Sequence, residues 1–188
     1  QLDTNIRLEL REAIRSQQLE TGVTTVYVTH DQEEALSLAD DVIVMNEGRI
    51  EQIGSPEDIY YRPETLFVAN FVGSSGMNTV EGTVRRVEGN AVFRSGSGSL
   101  QLSQPTATGD VTLGIRPECV RIVPTGSISG SVRISEYFGD HHLIHLDTDF
   151  GDLSARSAEA RPVGERVRID FDVNRVRLFD PRDGGLLQ

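Results

Sequence analysis

The sequence predicts an α/β segment followed by a small all-β barrel or sandwich. Three observations lead there. Val23 to Thr29 is a β-branched and aromatic run, the pattern of a strand buried on both faces of a parallel sheet. A helical period over Ala35, Leu36, Leu38 and Ala39 then leads into a second apolar run, Val42 to Met45. Beyond the small, flexible stretch Gly73-Ser74-Ser75-Gly76 the chain turns into short strands punctuated by Gly and Pro. Two domains follow from these shifts, residues 1–73 and 74–188.

In chain order, Ile6, Leu10, Ala13, Ile14 and Gln17 fall at helical spacing, with Asp3 or Thr4 as N-cap and Gly22 just past the end. Arg7, Arg11 and Arg15 form a row of like charge, read as a solvated basic stripe in preference to a partner site. The Val23 run ends at His30 and Asp31. In open parallel sheets ligands lie outside the carboxyl ends of the strands, which makes His30 a candidate functional residue. On residue type alone it could equally cap a strand end. Asp31 is placed to cap the following helix, whose first turn carries Glu33 and Glu34. Strand, helix and strand up to Met45 suit a right-handed crossover.

Asn46-Glu47-Gly48-Arg49 reads as a hairpin turn, returning through Ile50 to Ile53. Ser55-Pro56-Glu57-Asp58 starts a short helix that Pro63 ends, and Leu66 to Val72 is an apolar helical stretch. After the linker, strands are expected at 79–87, 91–94, 100–102, 111–115, 128–138, 143–147, 167–171 and 176–179. The alternation is clean in Val167-Arg168-Ile169-Asp170-Phe171.

The chain has 188 residues and a net charge of −11. That balance argues against a surface built to neutralise nucleic-acid phosphates, and the absence of Trp removes a stacking platform. All 18 basic residues are Arg. Without a lysine no phosphate-binding loop of the G-x-x-x-x-G-K-[ST] type can be present. The single cysteine, Cys119, excludes an internal disulfide.

The string from Val28-Thr29-His30-Asp31-Gln32-Glu33-Glu34-Ala35 through Ile59-Tyr60 resembles the segment after the Walker B strand in ATPase subunits of ABC importers. The match is unbroken over some thirty positions. It implies that His30 is the switch histidine, whose imidazole meets the γ-phosphate of ATP and the attacking water. It also implies that Asp3 is the D-loop aspartate at the dimer interface. Leu113-Gly114-Ile115-Arg116-Pro117-Glu118 resembles the L-G-I-R-P-E motif of the OB-like regulatory domain of these importers, called TOBE or MOP-like. Gly73-Ser74-Ser75-Gly76-Met77-Asn78 resembles the junction seen in importers of sugars, polyols and glycerol phosphates.

The resemblance therefore implies an α/β remnant of a P-loop ABC ATPase domain followed by an OB-like barrel. This would be the carboxy-terminal part of an energy-coupling subunit, without Walker A, Q-loop, signature motif or Walker B. ATP and Mg2+ belong to the full-length subunit, and none is expected for this chain alone. The implied partners are a second copy of the subunit and transmembrane permease subunits, at the cytoplasmic face of the cell membrane. Importers of polyamine, iron or sulfate are the alternative substrate classes, and a regulatory ligand or protein at the barrel is left open.

Two further constellations carry weaker signals. His141, His142 and His145 suggest a metal site, but on one strand His141 and His145 would lie ~13 Å apart and His142 would point away. Arg116 could bind an anion. Pro117 biases it to extended backbone, so a structural role at a strand end is favoured for this residue, while a ligand- or oxyanion-sensing binding module without catalysis is the alternative reading of the chain.

Overall fold

The computed structural model describes residues 4–103 and 107–187, so Asp3 lies outside the described residues. Helix α1 spans Thr4–Thr21 and α2 Gln32–Leu38; strands β1 (Val42–Asn46) and β2 (Arg49–Gly54) precede helices α3 (Pro56–Tyr61) and α4 (Leu66–Phe71). Ten strands follow: β3 Asn78–Val87, β4 Asn90–Ser95, β5 Gly98–Leu102, β6 Gly109–Ile115, β7 Val120–Val123, β8 Ile128–Tyr137, β9 His142–Thr148, β10 Gly151–Ser157, β11 Arg166–Phe171 and β12 Arg177–Phe179.

The Val23 run departs from the sequence expectation. It is extended but forms no strand, and Val26 and Val28 are 85% and 88% exposed. Branched side chains favour extended backbone, yet a strand also needs a hydrogen-bonded neighbour, and no described strand lies beside this run. The expected crossover is accordingly not formed. Instead β1 pairs antiparallel with β2 alone, through a turn in which Glu47 and Gly48 both take positive φ, the geometry of a two-residue hairpin. Only one face of β1 is buried: Val42 and Val44 point inward while Ile43 and Met45 are exposed.

Val42 and Val44 pack with Ile59 of α3, with Val68 of α4 and with Val72 just past its end into a small core. Local chemistry fixes these helices. Ser55 caps α3 with Pro56 in its first turn, and Thr65 caps α4 by accepting from the Val68 N–H. Helix α1 docks through charge rather than through its apolar residues, because Ile6, Leu8 and Leu10 are exposed. Arg11 reaches Asp31 and Glu34, and Arg15 forks onto Asp40 at 2.7 and 3.0 Å. Arg11 and Arg15 of the basic row thus dock within the chain, while Arg7 is exposed as expected.

The remaining strands form two five-stranded antiparallel sheets, ordered β10-β9-β8-β11-β7 and β12-β6-β3-β4-β5. One hydrophobic cluster fills the space between them, with Phe93, Leu113 and Leu178 from one sheet meeting Ile144, Leu146 and Ile169 from the other. β7 and β10 were not legible as strands. β8 carries a bulge between Val132 and Ile134, which turns Ile134 out to 47% exposure. A third cluster, Ala69, Met77 and Phe179 with Leu66 and Leu186, joins α4 to the β sheets. The last residues return to the same place, where Leu186 N–H donates to the Glu64 carbonyl.

Candidate functional site

His30 stands exposed between the extended run and α2. It does not cap the helix. That role falls to Asp31, whose Oδ1 accepts from the N–H groups of Glu33 (3.0 Å) and Glu34 (3.2 Å). The backbone on either side of His30 is held by a polar cluster. Thr29 Oγ1 accepts from the Asp31 N–H at 2.9 Å and donates to Glu34 Oε2 at 2.7 Å. Glu34 is buried and also accepts from Arg11 (3.0 Å) and from the Tyr27 hydroxyl (3.2 Å). Its carboxyl is held below the ordinary value, first by the Thr29 hydrogen bond and then by that of Arg11.

On the other side Gln32 reaches away from the helix. Its Oε1 accepts from the Gly73 N–H at 2.7 Å, and its Nε2 donates to the Phe71 carbonyl. The first residue of the Gly73–Gly76 stretch is thus tied to the residue two positions after His30. Gly73 takes a φ of 108°, a conformation that favours glycine.

The Gly114, Arg116, Pro117 and Glu118 motif comes together at this same junction. Arg116 is 3% exposed. Its Nη1 donates to the carbonyls of Ala69 (2.9 Å) and Val72, and its Nη2 to that of Tyr60 (3.1 Å). These carbonyls include free acceptors at the carboxyl ends of α3 and α4, so the guanidinium caps two helices at once. Its Cζ lies over the Tyr60 ring, 4.4 Å from the centroid. The geometry is structural: with both terminal nitrogens engaged, Arg116 offers little to an oxyanion. Only its buried Nε has no partner among the described residues.

Pro117 opens a short 3-10 turn, and Glu118 beyond it accepts from the Tyr60 hydroxyl at 2.8 Å. Burial, reinforced by that carboxylate, pushes the Tyr60 phenol up to about 12. Burial likewise lowers the pKa of Arg116. Gly114 sits beneath Met77 and Phe179, where a Cβ would fall 2.5 Å from the methionine sulfur and 2.8 Å from the aromatic ring.

The three candidate imidazoles have separate partners. His141 Nδ1 lies 2.5 Å from Asp140, His142 packs on the Tyr137 ring, and His145 bridges Glu136 (2.6 Å) and Ser154 (3.1 Å). No group able to hold a metal ion occurs among the described residues. No described helix is long and apolar enough to cross a membrane. Sequence reasoning missed Gln32, Glu34 and Tyr60, whose roles depend on neighbours distant in the chain. The one available signal was the concentration of polar residues around His30.

For a nucleotide, the His30 loop can supply an imidazole at an exposed loop. The chain has no lysine of the kind that reaches β- and γ-phosphates in a G-x-x-x-x-G-K-[ST] loop.

Comparison with known proteins fits this arrangement. Residues 113–179 match the TOBE domain family. The chain is 38% identical to an sn-glycerol-3-phosphate import ATP-binding protein, UgpC 2, of Agrobacterium fabrum, over 97% of this chain and 50% of that protein. It is 34% identical to the UgpC 1 protein of Rhizobium johnstonii, over 100% of this chain and 53% of the relative. A xylose/arabinose import ATP-binding protein, XacK, of Haloferax volcanii is 35% identical over 100% of this chain and 52% of its own length. The chain spans about half the length of these curated relatives. The TOBE match includes the Arg116 junction, and nearly all residues of this chain align with about half of each of these relatives, so the chain is similar to the ATP-binding proteins of importers.

Proposed function

We propose that this chain forms part of the energy-coupling ATPase subunit of an ABC importer for a carbohydrate or a glycerol phosphate. His30 is the residue that carries the reading. It is exposed at a loop whose backbone is fixed on one side by Thr29 and Glu34 and on the other by Gln32, which leaves the imidazole free to meet a phosphate. Phosphoryl transfer asks for such positioning and for charge stabilisation more than for covalent chemistry. ATP with Mg2+ supplies the transferred phosphoryl group in the complete subunit. His30 holds the attacking water and the γ-phosphate in register, and Asp3 contributes from the facing copy. The subunit works as a pair at the cytoplasmic face of the membrane, against permease subunits. The names of the UgpC and XacK relatives support the substrate class.

The test uses a full-length subunit containing these residues. His30→Ala lowers ATP hydrolysis by about 100-fold, the scale of losing one transition-state contact, while nucleotide binding stays close to wild type. Unchanged turnover would return His30 to the surface of a structural loop. The 188-residue chain by itself binds ATP more weakly than about 1 mM in calorimetry, and micromolar affinity would show a phosphate site that the sequence does not contain.

A further inference from the structure

Gln32 follows His30 by two positions and leaves its own helix to grip the segment between α4 and β3. It accepts from Gly73 N–H at 2.7 Å and donates to the Phe71 carbonyl. The intervening residue, Val72, gives its carbonyl to Arg116, as Ala69 does one turn earlier. Three successive residues, 71, 72 and 73, are therefore held from opposite sides: by the His30 loop through a side-chain amide, and by the β sheets through a guanidinium.

Space reinforces the bond pattern. A Cβ on Gly73 would lie 3.0 Å from Arg116 Nη1, so the chain passes against the guanidinium and has little room to slide. Arg116 is itself fixed by the Tyr60 carbonyl and by the Tyr60 ring, whose hydroxyl donates to Glu118. The path from the TOBE motif to the His30 loop consists of direct contacts throughout. Its bonds converge on one short backbone segment, so displacement of that segment must be felt at both ends.

We infer that Gln32 is a positioning residue for His30, and that Arg116 sets its register by fixing residues 71–73, so that the TOBE part and the hydrolytic loop report on each other through this segment. The inference rests on the reading of His30 as the phosphate-facing residue. Two terms separate it from a merely structural junction. Loss of Gln32 alters His30 presentation without unfolding the β sheets, and Arg116 influences the loop only while Gln32 is present.

Amide hydrogen exchange on the intact chain, with the Arg116 guanidinium and His30 ring followed by NMR, tests the coupling without nucleotide. Gln32→Ala speeds exchange at Val72, Gly73, Glu33 and Glu34 by about 10-fold and shifts the Arg116 guanidinium signals. Arg116→Lys, which keeps the charge but loses the fork, speeds exchange at Glu33 and Glu34 in the wild type and adds nothing further at those amides in the Gln32→Ala background. Equal effects in both backgrounds would overturn the inference. So would undisturbed Arg116 signals in Gln32→Ala, a measurement that stands even if the lysine variant fails to fold.

In a full-length subunit Gln32→Ala lowers kcat about 10-fold with KM for ATP unchanged. Wild-type kcat in that variant, alongside a strong loss in His30→Ala, sinks the positioning role and leaves the His30 reading intact. Wild-type kcat in His30→Ala removes the reading itself.

Discussion

Arg116 shows how one side chain can join two kinds of structure. Its charge is buried, which is costly unless every polar neighbour is satisfied, and the carbonyls of Tyr60, Ala69 and Val72 provide that satisfaction. Arg116→Met removes the donors and leaves those carbonyls in an apolar setting. We expect a loss of about 3 kcal/mol in denaturant unfolding, and a change below about 1 kcal/mol would show that water replaces the guanidinium. Tyr60 gives a pH signature. Its phenol is raised to about 12, so the folded state favours the protonated form. The contribution is complete below the unfolded value near 10 and is lost as pH rises through about 12. Stability should therefore fall between those limits in wild type. Tyr60→Phe should flatten that part of the pH profile, and an unchanged alkaline slope would assign the loss to another group.

Among the elements, α2 is short and depends on its cap. Asp31→Ala removes the acceptor for two helix N–H groups and the contact with Arg11, and should cost about 1 to 2 kcal/mol, read as lower helix content near residues 32–38. The β3 strand has the opposite constraint. A Cβ at Gly82 would approach the Arg94 carbonyl to 2.4 Å and the Phe93 ring to 2.5 Å, and neither a paired strand nor a fully buried ring can give way. Gly82→Ala should destabilise by about 3 kcal/mol in thermal or denaturant unfolding. Gly114→Ala should destabilise too, because a Cβ there would meet the buried Met77 sulfur at 2.5 Å and the fully buried Phe179 ring at 2.8 Å.

For the molecule as a whole, the β sheets and the amino-terminal part differ in how completely they cover themselves. The sheets share one core from β3 to β12. The β1–β2 hairpin leaves Ile43, Met45, Ile50 and Ile53 exposed on one face, and Val26 and Val28 of the extended run are exposed as well. We expect limited proteolysis to cut first between Gly22 and His30, where the backbone is extended and unpaired, and to leave a resistant piece beginning near Met77. A resistant piece comprising residues 1–72 would reverse that assignment. The open apolar face also favours self-association, so light scattering should show species larger than a monomer as concentration rises.

The helix caps, the β1–β2 turn and most later strands were legible in the sequence because each depends on neighbours a few positions away. Ser55 with Pro56, Asp31 with Glu33, and the alternation from Val167 to Phe171 are such local signals. The Val23 run was misread because a strand is defined by its neighbour, and its composition carries no information about whether one lies alongside. β7 and β10 were missed because they are short or polar and owe their place to pairing with β11 and β9. His30 could be found from its position and its resemblance. What surrounds it could not, since Gln32 meets Gly73 across 41 residues, and Arg116 meets Val72 across 44. Sequence spacing decides which residues a helix or a turn brings together. Only the packed chain decides which carbonyls are left without a partner, and it is those carbonyls that Arg116 joins to the loop of His30.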